Sequence, residues 1–298
     1  MTRWLVTGAH GQLGSELRLA LRGQDVTAPG RSELDVTSDA AEDSLRAWAR
    51  AGGATERLVV VNAAAWTDVD GAEADPAGAA AVNADGAARL AGCCAELGAT
   101  LVQVSTDYVF PGTRAATGSR PYEVADPVRP ATVYGKTKEA GERAVRAALD
   151  RHYIVRTAWL YGAVGGNFVK TIAGLRHRRD TLDVVDDQVG SPTWAAELAR
   201  GLVELAGSGA PHGTYHCACA GEASWYELAR AVFTEVGADP DRIRRCDSTC
   251  FPRPAPRPAY SVLSGRSWAA TGLRPLPHWR ESLRLAFQSC RSALDMPL

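Results

Sequence analysis

Lysine is nearly missing from this chain: of 33 basic residues only three are lysine, at positions 136, 138 and 170, and the rest are arginine. A surplus of either charge is missing too. The formal net charge of −1 gives no electrostatic reason to expect nucleic acid or a membrane surface as partner. Seven cysteines in 298 residues are too sparse for a disulfide scaffold, and Cys217 and Cys219 form C-x-C rather than paired C-x-x-C. Their odd number fits buried thiols in a reducing compartment. The histidines form no H-E-x-x-H, and their one H-x-x-x-H pair, His212 and His216, falls on a segment expected as a strand rather than a helix, so no zinc site is expected. No apolar run approaches the ~20 residues that span a bilayer. The opening "MTRWLVTGAHGQLG" runs directly into a glycine turn, unlike a signal peptide. The simplest expectation is a cytoplasmic protein.

What is present is alternation. "RWLVTG" (3–8) reads as a strand, and Leu13, Leu17, Ala20 and Leu21 then recur at helical spacing. "DVTAPG" follows as a strand, 38–52 as a helix, 57–65 as a buried strand, 76–98 as a long alanine-rich helix and 100–105 as a strand. After a loop at 111–132, rich in glycine and proline, come a helix starting near Val133 and a strand over "YIVRTAWLYG" (153–162). Apolar strands alternating with helices indicate an α/β fold, a Rossmann-type doubly wound parallel sheet covered on both faces. Residues 1–162 are expected to form this nucleotide-binding part. Residues 163–298 are expected to form mainly a smaller, mixed α/β substrate lobe, with a strand and helix near 193–217 returning to the sheet. Helices are expected at 166–178, 193–207, 224–237 and 279–288, and strands near 182–186 and 213–217. Four prolines in 252–258 impose extended backbone on "FPRPAPRPAYSV".

The first strand-to-helix junction carries Gly8, Gly11 and Gly14 as G-x-x-G-x-x-G. Glycine permits a tight turn and close backbone approach to a pyrophosphate, and the helix N-terminus offers free N–H groups. A dinucleotide is the expected ligand. At the end of the second strand, where a carboxylate would bind the ribose 2′-hydroxyl of NAD and repel a 2′-phosphate, the chain has Pro29-Gly30-Arg31-Ser32. NADPH is therefore expected, with NADH possible, and Arg31 is a candidate phosphate contact; a solvated surface arginine is the plainer reading.

Two of the three lysines sit in "VYGKTKEAGE" (133–142). Tyr134 and Lys138 are spaced i, i+4, which puts both on one face of a helix. A phenol is a poor proton catalyst near neutrality, and an adjacent ammonium is expected to lower its pKa and also to hold a cofactor ribose. Lysine's compact charge suits both tasks better than arginine's planar fork. In "VSTDYVF" (104–110), Ser105 and Thr106 stand at the end of an expected strand, where a hydroxyl can orient a substrate carbonyl.

With these segments in view, the chain resembles the extended short-chain dehydrogenase/reductases, and more closely the dTDP-4-dehydrorhamnose reductase family of NDP-sugar 4-ketoreductases. "VTGAHGQLGSEL", "VVNAAAWTDVDGAE", "VQVSTDYVFPG", "YGKTKEAGE", "RTAWLYG", "GGNFVKTI", "VDDQVGSPT" and "RPAYSVL" carry the resemblance in the family's order. It implies a catalytic triad of Thr106, Tyr134 and Lys138, with Tyr134 as proton donor to the 4-keto oxygen. It places Gly8, Gly11, Gln12 and Leu13 at the pyrophosphate and Asp35 and Val36 at the adenine. Ala63, Ala64, Ala65, Trp66 and Thr67, with Val104, fall along the strand ends beside the cofactor. Thr106, Asp107, Trp159 and Asn167 are implied at the sugar, and Arg257 near the nucleotide part of the substrate. Some relatives bind magnesium through carboxylates at a dimer contact; Glu16 matches one such position, the tail "CRSALDMPL" supplies no counterpart, and no metal is expected.

The implied reaction is reduction of the C4 ketone of a dTDP-4-keto-6-deoxyhexose, for envelope rhamnose or a secondary-metabolite deoxysugar; a homodimer is expected because long helices flanking such sheets often pair two subunits. Two alternatives stay open. An NAD-dependent sugar-nucleotide 4-epimerase or dehydratase shares the Tyr/Lys pair, although the dehydratase pattern T-D-E is here Thr106-Asp107-Tyr108. A non-catalytic regulatory subunit shares the fold, but need not keep all three catalytic residues.

Overall fold

The computed structural model describes residues 1–52, 57–118 and 120–295; residues 53–56, residue 119 of the long loop and residues 296–298 of the tail lie outside the described residues. Six strands form one parallel sheet: β1 (Thr2–Thr7), β2 (Asp25–Thr27), β3 (Arg57–Asn62), β4 (Thr100–Thr106), β5 (His152–Thr157) and β6 (Gly213–His216), in the order β6-β5-β4-β3-β1-β2. The order reverses beside β1, which opens a crevice at the carboxyl ends of β1 and β3.

The central strands are apolar throughout because both faces are covered. Val59 and Val61 face a core shared with the helices Gln12–Ala20 and Ala195–Gly207, while Val60 between them faces the core under Ala40–Arg50 and Gly86–Leu97. All three valines are fully buried. The chain beyond residue 162 contributes β6, paired with β5, and helix Ala195–Gly207, packed on Gln12–Ala20. Its other elements form short two-stranded sheets, Leu182–Val185 with Ile243–Cys246 and Val189–Gly190 with Ala223–Ser224, and the helices Phe168–Leu175, Trp225–Glu235 and Trp279–Leu294.

Three local features differ from the sequence reading. The alanine-rich segment is not one regular helix: Pro76–Ala80 and Gly86–Leu97 are joined by a π-turn, Ala81–Asp85. There the Asn83 side chain leaves its helix to bond the backbone of Trp66. The segment 153–162 is two strands rather than one, broken after Thr157, because Trp159 adopts a positive φ of 47°. Finally, Val69–Ala74 is a helix that periodicity does not reveal; Asp68 caps it by accepting from Gly71 N at 2.9 Å.

Candidate active site

The phosphate turn is built by close backbone approach. Gly8 has φ +64°, and a Cβ on it would lie 2.6 Å from Ala64 N. A Cβ on Gly14 would lie 2.1 Å from the Gly8 carbonyl oxygen. Both positions therefore require glycine, and they open the backbone at the first N–H groups of helix Gln12–Ala20, which have no intrahelical acceptors. Leu13 is buried and anchors that helix. Gln12 reaches across the crevice, where its Oε1 accepts from Asn167 Nδ2 at 3.1 Å; Asn167 also donates to the Gly162 carbonyl and caps helix Phe168–Leu175. The glycine turn and the turn before helix Phe168–Leu175 are thus joined.

Beyond β2, Arg31 is exposed and its Nε pairs with Asp35 at 3.1 Å. Hydrogen bonds from the Thr37 backbone and hydroxyl, the largest influences, hold the Asp35 carboxyl below its usual range. Val36 is buried against Gly86. Ala63, Ala64, Ala65 and Trp66 are half-buried and Thr67 is exposed, along the end of β3. A turn that a Cβ would fill, beside free helix N–H groups, fits a dinucleotide pyrophosphate.

The helix Val133–Ala148 carries Tyr134 and Lys138. Thr132 caps it, accepting from Gly135 N at 3.0 Å, and Glu73 Oε1 accepts from Val133 N at 2.8 Å. The helix docks without side-chain cushioning: a Cβ on Gly135 would lie 2.3 Å from the Tyr108 carbonyl oxygen, and one on Gly141 2.2 Å from that of Asn83. Tyr134 is buried, edge-on to Tyr108, with ring centroids 5.5 Å apart. Thr106 ends β4 beside it, and its Oγ1 donates to Asp107 Oδ1 at 3.0 Å. Lys138 is buried and its Nζ donates to the Val104 carbonyl at 2.7 Å, whereas Lys136 is exposed.

The electrostatics correct one expectation. Burial pushes the Tyr134 phenol up to about 12, with the Thr106 hydrogen bond lowering it and Asp107 raising it further. The phenol is therefore raised rather than lowered, because desolvation of phenolate outweighs the favourable contacts. Burial brings Lys138 down to about 8, opposed by Glu142. Burial also lifts Asp107 to about 6, against hydrogen bonds from Ser261 and Thr106. A carboxyl raised on folding contributes stability that is fully present below its unfolded value near 3.8 and lost as pH rises through about 6. Asp107→Asn is thus expected to unfold at higher denaturant than wild type at pH 8, by about 2–3 kcal/mol. At pH 3.5, by the same linkage, the two should differ by less than about 0.5 kcal/mol. Urea unfolding at both pH values measures this, and a gap that does not grow with pH would contradict it.

Several residues at the site carry no motif. A directed chain of hydrogen bonds crosses the strand ends: Thr7 Oγ1 donates to Asn62 Oδ1 (2.6 Å), Asn62 Nδ2 to Gln103 Oε1 (2.8 Å), and Gln103 Nε2 to the Val104 carbonyl that Lys138 also binds. Asn83 donates to Thr137 Oγ1 at 3.1 Å. Glu142, fully buried, accepts from Ser105 Oγ at 2.7 Å and from Arg156 Nε and Nη2 at 2.8 and 2.7 Å. Of these only Glu142 left a sequence signal, one further i+4 step along the row Tyr134, Lys138.

Beyond β5, Trp159 stacks on Trp225 with centroids 3.5 Å apart, and a Cβ on Gly190 would lie 2.4 Å from the Trp159 ring. These tryptophans, with Tyr108, Phe251, Arg253 and Arg257, line a cavity of about 420 Å³, a size suited to a small ligand. Among the described residues no group of three or more His, Cys, Asp or Glu is placed to hold a metal ion.

Residues 2–292 match the family model described as the RmlD substrate binding domain. The chain is 52% identical to a dTDP-4-dehydrorhamnose reductase of Streptomyces griseus, covering 99% of this chain and 96% of that protein. It is 48% identical to one of Mycobacterium tuberculosis, covering 95% and 92%. It also superposes with a TM-score of 0.88 on a crystal structure of dTDP-4-dehydrorhamnose reductase from Bacillus anthracis in complex with NADP, at 34% identity, covering 97% and 99% of the two chains.

Proposed function

Because the chain belongs to the RmlD substrate binding domain family, we propose that it reduces the C4 ketone of a dTDP-4-keto-6-deoxyhexose with NADPH in deoxysugar biosynthesis. The observation that carries this reading is the meeting of Thr106, Tyr134 and Lys138 at the carboxyl end of β4, between a glycine phosphate turn and an aromatic, arginine-lined cavity. NADPH held at the Gly8–Gly14 turn supplies the hydride to C4 of the sugar. The chain supplies the proton. Tyr134, kept protonated by its burial, gives its hydroxyl proton to the developing alkoxide, and Thr106 orients the carbonyl oxygen by hydrogen bonding. Lys138 presents its ammonium from the Val104 carbonyl toward the ribose side of the site, where it also compensates the phenolate left after proton transfer.

In this reading residues 1–162, with β6 and helix Ala195–Gly207, form the cofactor half, and the rest of 163–298 mainly the substrate lobe. Trp159, Asn167 and Asp107 face the sugar and Arg257 the nucleotide. Arg31 serves the 2′-phosphate. A cytoplasmic location and a homodimer accompany this proposal; among the described residues no helix is long and apolar enough to cross a membrane.

Loss of reduced nicotinamide absorbance on adding a dTDP-4-keto-6-deoxyhexose tests the activity, with the product identified by NMR; no oxidation with any 4-keto nucleotide sugar would refute it. The two lysines provide a sharper check. Lys136→Arg, at an exposed position, should be nearly silent. Lys138→Arg should weaken NADPH binding and lower turnover, each by about tenfold or more, the scale of one charge-assisted hydrogen bond. Equal effects in steady-state assays would show that lysine at 138 has no special task.

A further inference from the structure

The helix Val69–Ala74 has two carboxylates whose contacts lead to two different elements. Glu73 bonds the first turn of the helix that carries Tyr134. Asp70 turns to the proline-rich strap: Oδ2 accepts from Arg257 Nη2 at 2.7 Å, Oδ1 accepts from Ala255 N at 3.2 Å, and Arg253 Nη1 lies 3.9 Å from Oδ2. Prolines at 252, 254, 256 and 258 leave the strap only three backbone N–H donors over that span, and one of them is committed to Asp70.

The arginines line the cavity that also contains Trp159 and Trp225. The Arg257 side chain is 22% exposed, and an unanchored arginine carries ~2 kcal/mol of rotamer entropy. Its guanidinium has five N–H donors. One goes to Asp70 and one to the Ala255 carbonyl at 3.0 Å, so three remain. Two arginines against Asp70 leave their own cluster with a positive balance, while Asp183 also lines the cavity. Burial raises the Asp70 carboxyl, but the Arg257 and Ala255 hydrogen bonds hold it below its ordinary value, so it is ionised at neutral pH.

We infer that Asp70 is a positioning residue for the diphosphate of the substrate: it fixes the strap and Arg257 so that the remaining N–H groups of Arg257, together with Arg253, receive the phosphates. The inference rests on the nucleotide-sugar reading above. It differs from simple charge attraction, in which removing a carboxylate near an anion site would strengthen binding. The same ion pair ties the strap to the short helix whose Glu73 supports the Tyr134 helix, so one element braces both the substrate's charged end and the proton donor.

The test uses the full chain, with dTDP as probe in calorimetry and NADPH titrated separately. Asp70→Ala should weaken dTDP about tenfold and leave NADPH affinity unchanged, and in an Arg257→Ala background it should have no further effect. The isosteric Asp70→Asn, which keeps an acceptor for Ala255 N, should weaken dTDP about threefold and carries the test if the alanine variant does not fold. Unchanged or tighter dTDP binding in the Asp70 variants, loss of NADPH affinity along with it, or additivity with Arg257→Ala would overturn the positioning role while leaving the substrate reading in place. A wild-type chain that binds NADPH but no dTDP would overturn both.

Discussion

Tyr134→Phe is expected to lose about 10²- to 10⁴-fold in turnover while binding NADPH with near wild-type affinity. The substitution removes one oxygen and keeps the ring that packs edge-on against Tyr108. The fold should therefore be retained, with the loss of the Thr106 hydrogen bond costing about 1 kcal/mol. What disappears is the hydroxyl proposed as the proton source beside Thr106. Because burial holds the phenol near 12, Tyr134 stays protonated throughout the neutral range, and wild-type turnover should show no loss from tyrosine ionisation below about pH 9. Single-turnover oxidation of NADPH distinguishes chemistry from release. A phenylalanine variant with wild-type turnover would remove Tyr134 from the mechanism.

The second large effect lies behind the site. Glu142→Gln is expected to destabilise the chain by about 3–5 kcal/mol, because it leaves Arg156, only 3% exposed, without its carboxylate. Such a loss is a sizeable part of the ~5–15 kcal/mol that holds a domain folded. Burial raises the Glu142 carboxyl, but the Arg156 hydrogen bonds and charge, Ser105 and Arg146 outweigh it, and its value is lowered on folding. A lowered carboxyl contributes stability that is present above its unfolded value and lost as pH falls through the folded one. The gap between wild type and Glu142→Gln in urea unfolding should thus be full at pH 7 and shrink in acid. A deficit below about 1 kcal/mol at pH 7 would show that the buried pair is replaceable.

Periodicity made the sheet legible, because strands covered on both faces are apolar at every residue, as Val59, Val60 and Val61 are. The site was legible where it depends on local spacing. Gly8, Gly11 and Gly14 form one turn, and Tyr134 and Lys138 share one helix face. Features created by distant segments were not. The Thr7–Asn62–Gln103 chain joins residues 55 and 41 positions apart. The π-turn arises because Asn83 bonds Trp66, 17 residues away. The break at Trp159 depends on Gly190 making room for an indole. The direction of the Tyr134 shift also escaped, since spacing reveals a neighbouring charge but not how deeply the phenol is desolvated.

The glycines at 135 and 141 have a consequence for how such a protein changes its substrate. Where two backbones touch with no room for a methyl group, neighbouring side chains have no slack with which to re-aim Tyr134, the proposed proton donor. Variation in sugar preference must then accumulate on the opposite wall, around the Trp159–Trp225 stack and the strap, while the acid–base half is inherited as a fixed part. Libraries built to accept new keto sugars belong on that wall.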